Sequence, residues 1–194
     1  MDFLDSLQDQ LAQEDFVIID VEGTANETMV DAILKSNILL APFAMSQLDA
    51  DGAKKTYQQV LRQQKIIDRE IDCRLVPTKT PKLLATMPNA DRQMISDILF
   101  DLEDIGIKAF DSSLADRTAY RHLFNKNHAY TLDELPNEGV DNKANALLEC
   151  EYLVEDVLDA MLDGEVKISK DRVTLGSVIR SYRKKHGLEK TKIE

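Results

Sequence analysis

The sequence predicts an α/β fold with a mostly parallel sheet and helices on both faces. Three observations carry this. Apolar runs without polar alternation recur at residues 16–21 ("FVIIDV"), 37–43 ("NILLAPF") and 72–78 ("DCRLVPT"), the pattern of strands buried on both faces. The segments between them repeat their apolar residues at helical spacing. Strands that alternate with helices need crossover connections, which makes neighbouring strands parallel. At 194 residues and 43% hydrophobic, the chain suits one globular unit with a sizeable core.

In chain order, Phe3, Leu4, Leu7 and Leu11 predict a short amphipathic helix. The run at 16–21 is the first expected strand. Thr24 followed three residues later by Glu27 has the form of a capping box, opening a helix with Met29, Ile33 and Leu34 inward. The run at 37–43 is the second strand. Ser46 is a candidate N-cap for a helix whose Ala53, Tyr57, Val60 and Leu61 share one face. A third strand at 72–78 precedes a helix over about 89–104 with Ile95, Ile98, Leu99 and Leu102 in register. A short strand is expected at 107–110, a short helix or two turns over 112–124, and a loop over 125–139. A long helix over about 142–162 is predicted to turn Leu147, Cys150, Val154, Val157 and Met161 inward and its carboxylates to water. A last helix is expected over about 175–185.

The formal net charge is −11, but it is unevenly spread. Residues 165–194 hold nine Lys/Arg against four Asp/Glu. This divides the chain into an expected α/β domain over 1–163 and a basic tail over 164–194. No apolar run approaches the ~20 residues of a membrane span, and no secretory leader pattern opens the chain. Cys73 and Cys150 lie in apolar contexts and read as buried free thiols, so a reducing cytoplasmic setting is expected. His122, His128 and His186 do not stand at metal-ligand spacing with cysteines or carboxylates.

Asp20 closes the first apolar run and Gly23 follows it at D-x-x-G spacing. Ligands of open α/β sheets bind beyond the carboxyl ends of the strands. A carboxylate there suits a Mg²⁺-bound water, and a glycine amide suits a terminal phosphate. The same pattern also suits a plain helix cap.

The order of elements and the stretch from "DFVIID" through "SNILLAPFAMSQLDADGAKKTY" to "RLVPTKTP" resemble the ParA/MinD family of partition ATPases, which have a P-loop NTPase fold. The subfamily closest in character is the VirC-type ParA-like group that assists DNA transfer. The resemblance runs over about residues 15–161. It implies Mg²⁺ and ATP as cofactors, a homodimer, non-specific DNA, and a ParB-like or DNA-transfer partner. It assigns Asp20 to the Mg²⁺-water position, Gly23 to a phosphate, and Thr78 and Lys79 to the nucleotide base. A turn punctuated by Pro77 and Pro81 accounts equally for the last pair.

The family's phosphate loop, K-G-G-x-G-K-[ST], occurs nowhere in these 194 residues, and none of the seven glycines adjoins another. The first strand–P-loop–helix unit is thus expected to be missing, and ATP hydrolysis to fail without it. The alternative is a non-catalytic ParA-like adaptor or DNA-binding module. Arg180, Arg183 and Lys184 share a helical face in the basic tail and are the candidate DNA contacts; a solvated tail is the plain alternative. Arg117 and Arg121, four apart, suit surface ion pairs or a partner contact.

Overall fold

Two of the three long apolar runs pair as strands. The computed structural model describes residues 3–21, 27–83, 86–125, 128–135, 143–162 and 175–187. Strand β1 (Ile38–Phe43) lies parallel to β2 (Asp72–Thr80), in register from Ile38 opposite Asp72 to Phe43 opposite Pro77. β2 is the centre of a four-stranded sheet. Beside it lie two short pieces, β3 (Lys108–Ala109) opposite Arg74 and Leu75, and β4 (Leu114–Ala115) opposite Thr78 and Thr80. All three pairings are parallel, as the alternation of elements requires. β5 (Phe124–Asn125) and β6 (His128–Ala129) form a separate antiparallel pair where the expected short helix ends and the expected loop begins.

The helices flank this sheet. α1 spans Phe3–Leu11 and α2 spans Glu27–Lys35. α3 (Gln47–Ile67) starts where Ser46, in an extended conformation, accepts the Asp49 amide at 3.2 Å. That bond satisfies one of the first-turn donors the helix leaves open. α3 stops at Asp68, which takes the left-handed conformation at φ 50°. α4 (Asn89–Asp104) leads into Gly106 at φ 92°. A Cβ at Gly106 would stand 2.8 Å from Tyr57 Oη, so this turn requires glycine on both counts.

The main core joins Phe43, Leu75, Ile98 and Leu102 with Leu175 and Ile179 of α7 (Leu175–His186). A second cluster packs Ile33, Val60, Ile71 and Cys73. Helix α7 is therefore docked rather than solvated. Tyr182 is also buried, and its hydroxyl donates to Gln93 Oε1 of α4 at 2.5 Å.

Three expectations are corrected. Residues 16–21 form neither strand nor helix, and Ile18 is 95% exposed. Among the described residues β1 pairs only with β2, and no backbone hydrogen bond joins 16–21 to a strand. An apolar run becomes a buried strand only if a ladder partner stands beside it. On α3, Leu61 is exposed, while Ala50 and Gln63 are buried with Ala53 and Val60.

The third correction concerns α6 (Lys143–Met161), which is rotated from its expected orientation. Val154 and Met161 are exposed, whereas Asp156 is buried and Glu149 partly so. The cause lies in the neighbouring strand. Between β3 and β4 the chain leaves the ladder, and the amide of Ser112 donates to Asp156 Oδ2 at 2.8 Å. The amide of Ala115 donates to Glu149 Oε2 at 3.1 Å. Strand amides left unpaired at a sheet boundary need acceptors, and the α6 carboxylates supply them.

Candidate functional site

The register of β1 and β2 brings the segment after β1 and the last residues of β2 to one rim. Phe43 opposite Pro77 places residues 44–46 beside residues 78–80, at the carboxyl ends of two parallel strands. This is where open α/β sheets bind ligands. Each of these segments holds a non-glycine residue with positive φ, Met45 at 60° and Lys79 at 52°. Such residues store strain of order 1–3 kcal/mol and cluster at functional sites.

Lys79 has a further distinction. Opposite β4 the register steps from Thr78–Leu114 to Thr80–Ala115, so Lys79 is the extra residue of a bulge. A bulge re-aims its side chain. Lys79 is exposed at the rim, while Thr80 behind it is buried. The Thr80 hydroxyl lies 3.4 Å from that of Ser113. The neighbouring Ser112 Oγ is buried without a hydrogen-bond partner among the described residues, an uncommon state for a buried polar atom. Sequence reading missed the buried pair Ser112 and Ser113. The signal available was two hydroxyls ahead of a strand too short to pair all its amides.

Among the remaining candidates, Arg117 stands two residues beyond Ala115, which lies opposite Thr80. Asp20 is exposed in segment 16–21, which forms no strand, and so does not end a buried strand. Gly23 lies outside the described residues, as does Thr24 of the expected capping box. Asp49 stands in the first turn of α3 beside its cap Ser46, where a carboxylate favours the helix dipole. Arg117 and Arg121 are ion-paired, with Glu149 at 2.6 Å and Asp116 at 2.5 Å.

The tail candidates sit on α7. Arg180 makes two bonds to the Asp111 carboxylate, at 2.6 and 2.7 Å. That carboxylate raises the guanidinium pKa above its ordinary value. Arg183 donates to Ser96 Oγ at 2.9 Å, and its Nη1 stands 3.1 Å from Glu103 Oε2. Its guanidinium also lies over the Phe100 ring. Lys184 and Lys185 are exposed on the same helix.

The rim can be tested for the phosphates and Mg²⁺ of ATP. Among the described residues no group of three or more His, Cys, Asp or Glu could hold a metal ion. Helix α3, which starts at the rim, has Asp49 in its first turn, and Ser46 already accepts its amide. A carboxylate there repels a phosphate rather than receiving it. The described residues therefore do not fit a Mg²⁺–triphosphate, although an exposed Lys79 and the polar Thr78 remain at the rim.

Among the described residues no helix is long and apolar enough to cross a membrane. No family model matches the chain. The chain is 29% identical over 108 residues to Protein ParA of Rhizobium radiobacter, covering 56% of this chain. The match takes in 46% of that protein, so the chain spans about half the length of the curated relative it matches. This supports a ParA-like relationship, in agreement with the parallel sheet flanked by helices.

Proposed function

We propose that this chain serves a ParA-like role in plasmid or chromosome partition or in DNA transfer. The similarity to Protein ParA carries this reading. The parallel β1–β2 pair supports it, because its carboxyl rim lies where the resemblance puts the nucleotide. In this proposal Thr78 and Lys79 meet the base at the bulged rim. Asp20 and Gly23 serve Mg²⁺ and phosphate only when joined to a phosphate loop from outside the described residues. The described residues alone do not perform hydrolysis, since a phosphate cradle provides most of the charge stabilisation in phosphoryl transfer.

The test is calorimetric titration of the chain with Mg²⁺–ATP. Affinity no tighter than millimolar, about −4 kcal/mol, is expected. Micromolar affinity would overturn the absence of a phosphate cradle and require a phosphate site in these residues.

The partners proposed with this role are a second copy of the chain, non-specific DNA and a ParB-like or DNA-transfer protein. For DNA, α7 is the proposed contact. Arg180 and Arg183 already hold Asp111, Ser96 and Glu103, so Lys184 and Lys185 become the main phosphate contacts. Binding should be sequence-independent and fall steeply with salt. Charge reversal of both lysines should weaken it on every duplex; unchanged binding removes α7 from this role.

A further inference from the structure

The rotation of α6 has a second face. Because Glu149 and Asp156 turn toward the broken strand, the opposite side of the helix carries Leu147, Val154, Leu158 and Met161. These positions fall within one helical stripe. Val154 is 56% exposed and Met161 is exposed, while Leu147 and Leu158 are half-buried. Leu148 and Leu162 are exposed along the same side. The stripe spans about 21 Å at 1.5 Å per residue. The described elements packed most closely against α6 are β4 and α5 (Thr118–Arg121), both on its carboxylate side.

One border of this stripe is acidic. Glu151, Glu155 and Asp159 follow one another at four-residue intervals and form a row along the helix. No lysine or arginine lies between residues 144 and 162. A second copy of α6 laid antiparallel on the stripe would bring one acidic row against the other. The chain's net charge of −11 adds to that repulsion. An amphipathic helix with a basic border meets both requirements, since its apolar residues cover the stripe and its lysines or arginines face the carboxylate row.

We propose that the outer face of α6 is a docking surface for a basic amphipathic helix of another protein. Leu147, Val154, Leu158 and Met161 are the apolar anchors, and the Glu151–Glu155–Asp159 row sets charge preference and orientation. This surface is independent of the rim and of any bound nucleotide.

The test uses the full chain and a labelled 18-residue Leu/Lys peptide designed as an amphipathic helix, followed by fluorescence anisotropy. Two controls are a Leu/Glu helix of the same pattern and a scrambled Leu/Lys peptide of equal charge without an apolar face. The Leu/Lys helix should bind, the Leu/Glu helix should not, and scrambling should weaken binding at least tenfold. The double variant Val154→Glu/Met161→Glu should also lose at least tenfold, with an unchanged thermal unfolding midpoint because both side chains are exposed. Glu151→Lys/Glu155→Lys should weaken the Leu/Lys helix and strengthen the Leu/Glu helix, a reversal that a merely sticky surface would not produce. Equal binding of the scrambled peptide, an unaffected double variant, or no binding at all would overturn the proposal. So would a concentration-dependent dimer in sedimentation that the double variant abolishes, which would make the occupant a second copy.

Discussion

Arg117 and Glu149 form the most enclosed ion pair among the described residues, with side chains 8% and 17% exposed. Arg117 Nε and Nη2 both donate to Glu149 Oε1, at 2.9 and 2.6 Å. The other carboxylate oxygen accepts the Ala115 amide and the Tyr120 hydroxyl, each at 3.1 Å. One side chain of α6 thus ties together β4, the start of α5 and α5 itself. Desolvation of both charges is costly, so the pair specifies how α6 docks more than it adds net stability.

Removing one partner leaves the other charge buried. Glu149→Ala should destabilise the chain by about 3 kcal/mol, and the double variant with Arg117→Met by clearly less than the sum of the single changes. Urea unfolding of the four proteins measures this. Additive effects would mean that the pair is not coupled.

Gly106→Ala should destabilise by about 1–3 kcal/mol, since the new Cβ meets both a positive φ and the Tyr57 hydroxyl. Combining it with Tyr57→Phe, which removes the oxygen 2.8 Å away, should recover part of that loss. Thermal unfolding of the single and double variants tests the steric share; no recovery would assign the whole cost to the backbone.

Lys79→Gly should raise stability by up to about 1 kcal/mol, because glycine takes the left-handed conformation without strain. Denaturant titration shows the gain. A loss would mean that the lysine side chain stabilises the bulge.

The thiols should be unreactive in the folded chain. Burial, with a smaller push from the Asp72 carboxylate, raises the Cys73 pKa to about 11. Burial also raises the Cys150 pKa, with the Glu149 and Glu151 carboxylates adding to it and a hydrogen bond from Tyr120 opposing it. The thiolate is the reactive form, and at pH 8 on the order of one Cys73 in a thousand carries it. Alkylation should be slow at pH 8 and speed up as pH rises toward 11, well above the range of an ordinary thiol. Mass spectrometry after timed iodoacetamide treatment checks this. Rapid modification of Cys73 at pH 7 would show that the second core cluster opens readily.

Backbone amides at residues 17–19 should exchange with solvent rapidly, as they lack ladder partners among the described residues. Ile18→Ser should change stability by no more than about 0.5 kcal/mol, as expected for an exposed position. Protected amides there would reveal a strand partner. An exposed apolar segment such as this is a site for association, so light scattering belongs with the exchange measurement.

Local patterning determined a large part of this protein. Apolar spacing marks α1, α2, α3, α4 and α7 within a few residues of their ends, and the runs around β1 and β2 fall where the strands form. Ser46 was legible as an N-cap because its bond to the Asp49 amide closes within one turn. Thr78 and Lys79 were singled out by the family resemblance, and they stand among the last three residues of β2. These features depend on neighbours along the chain, and the sequence prints those neighbours directly.

Tertiary structure decided the rest. Residues 16–21 have the composition of a buried strand, yet strand formation needs a partner across space, and none stands beside them among the described residues. α6 has apolar and acidic faces, and a periodicity argument sends the apolar face inward. The unpaired amides of Ser112 and Ala115 reverse that choice, because each needs an acceptor that only Asp156 and Glu149 supply. The bulge at Lys79 and the docking of α7 through Arg180 and Arg183 are of the same kind. Sequence pattern reports which groups must be satisfied; the partner that satisfies them can lie tens of residues away, and only the folded chain brings the two together.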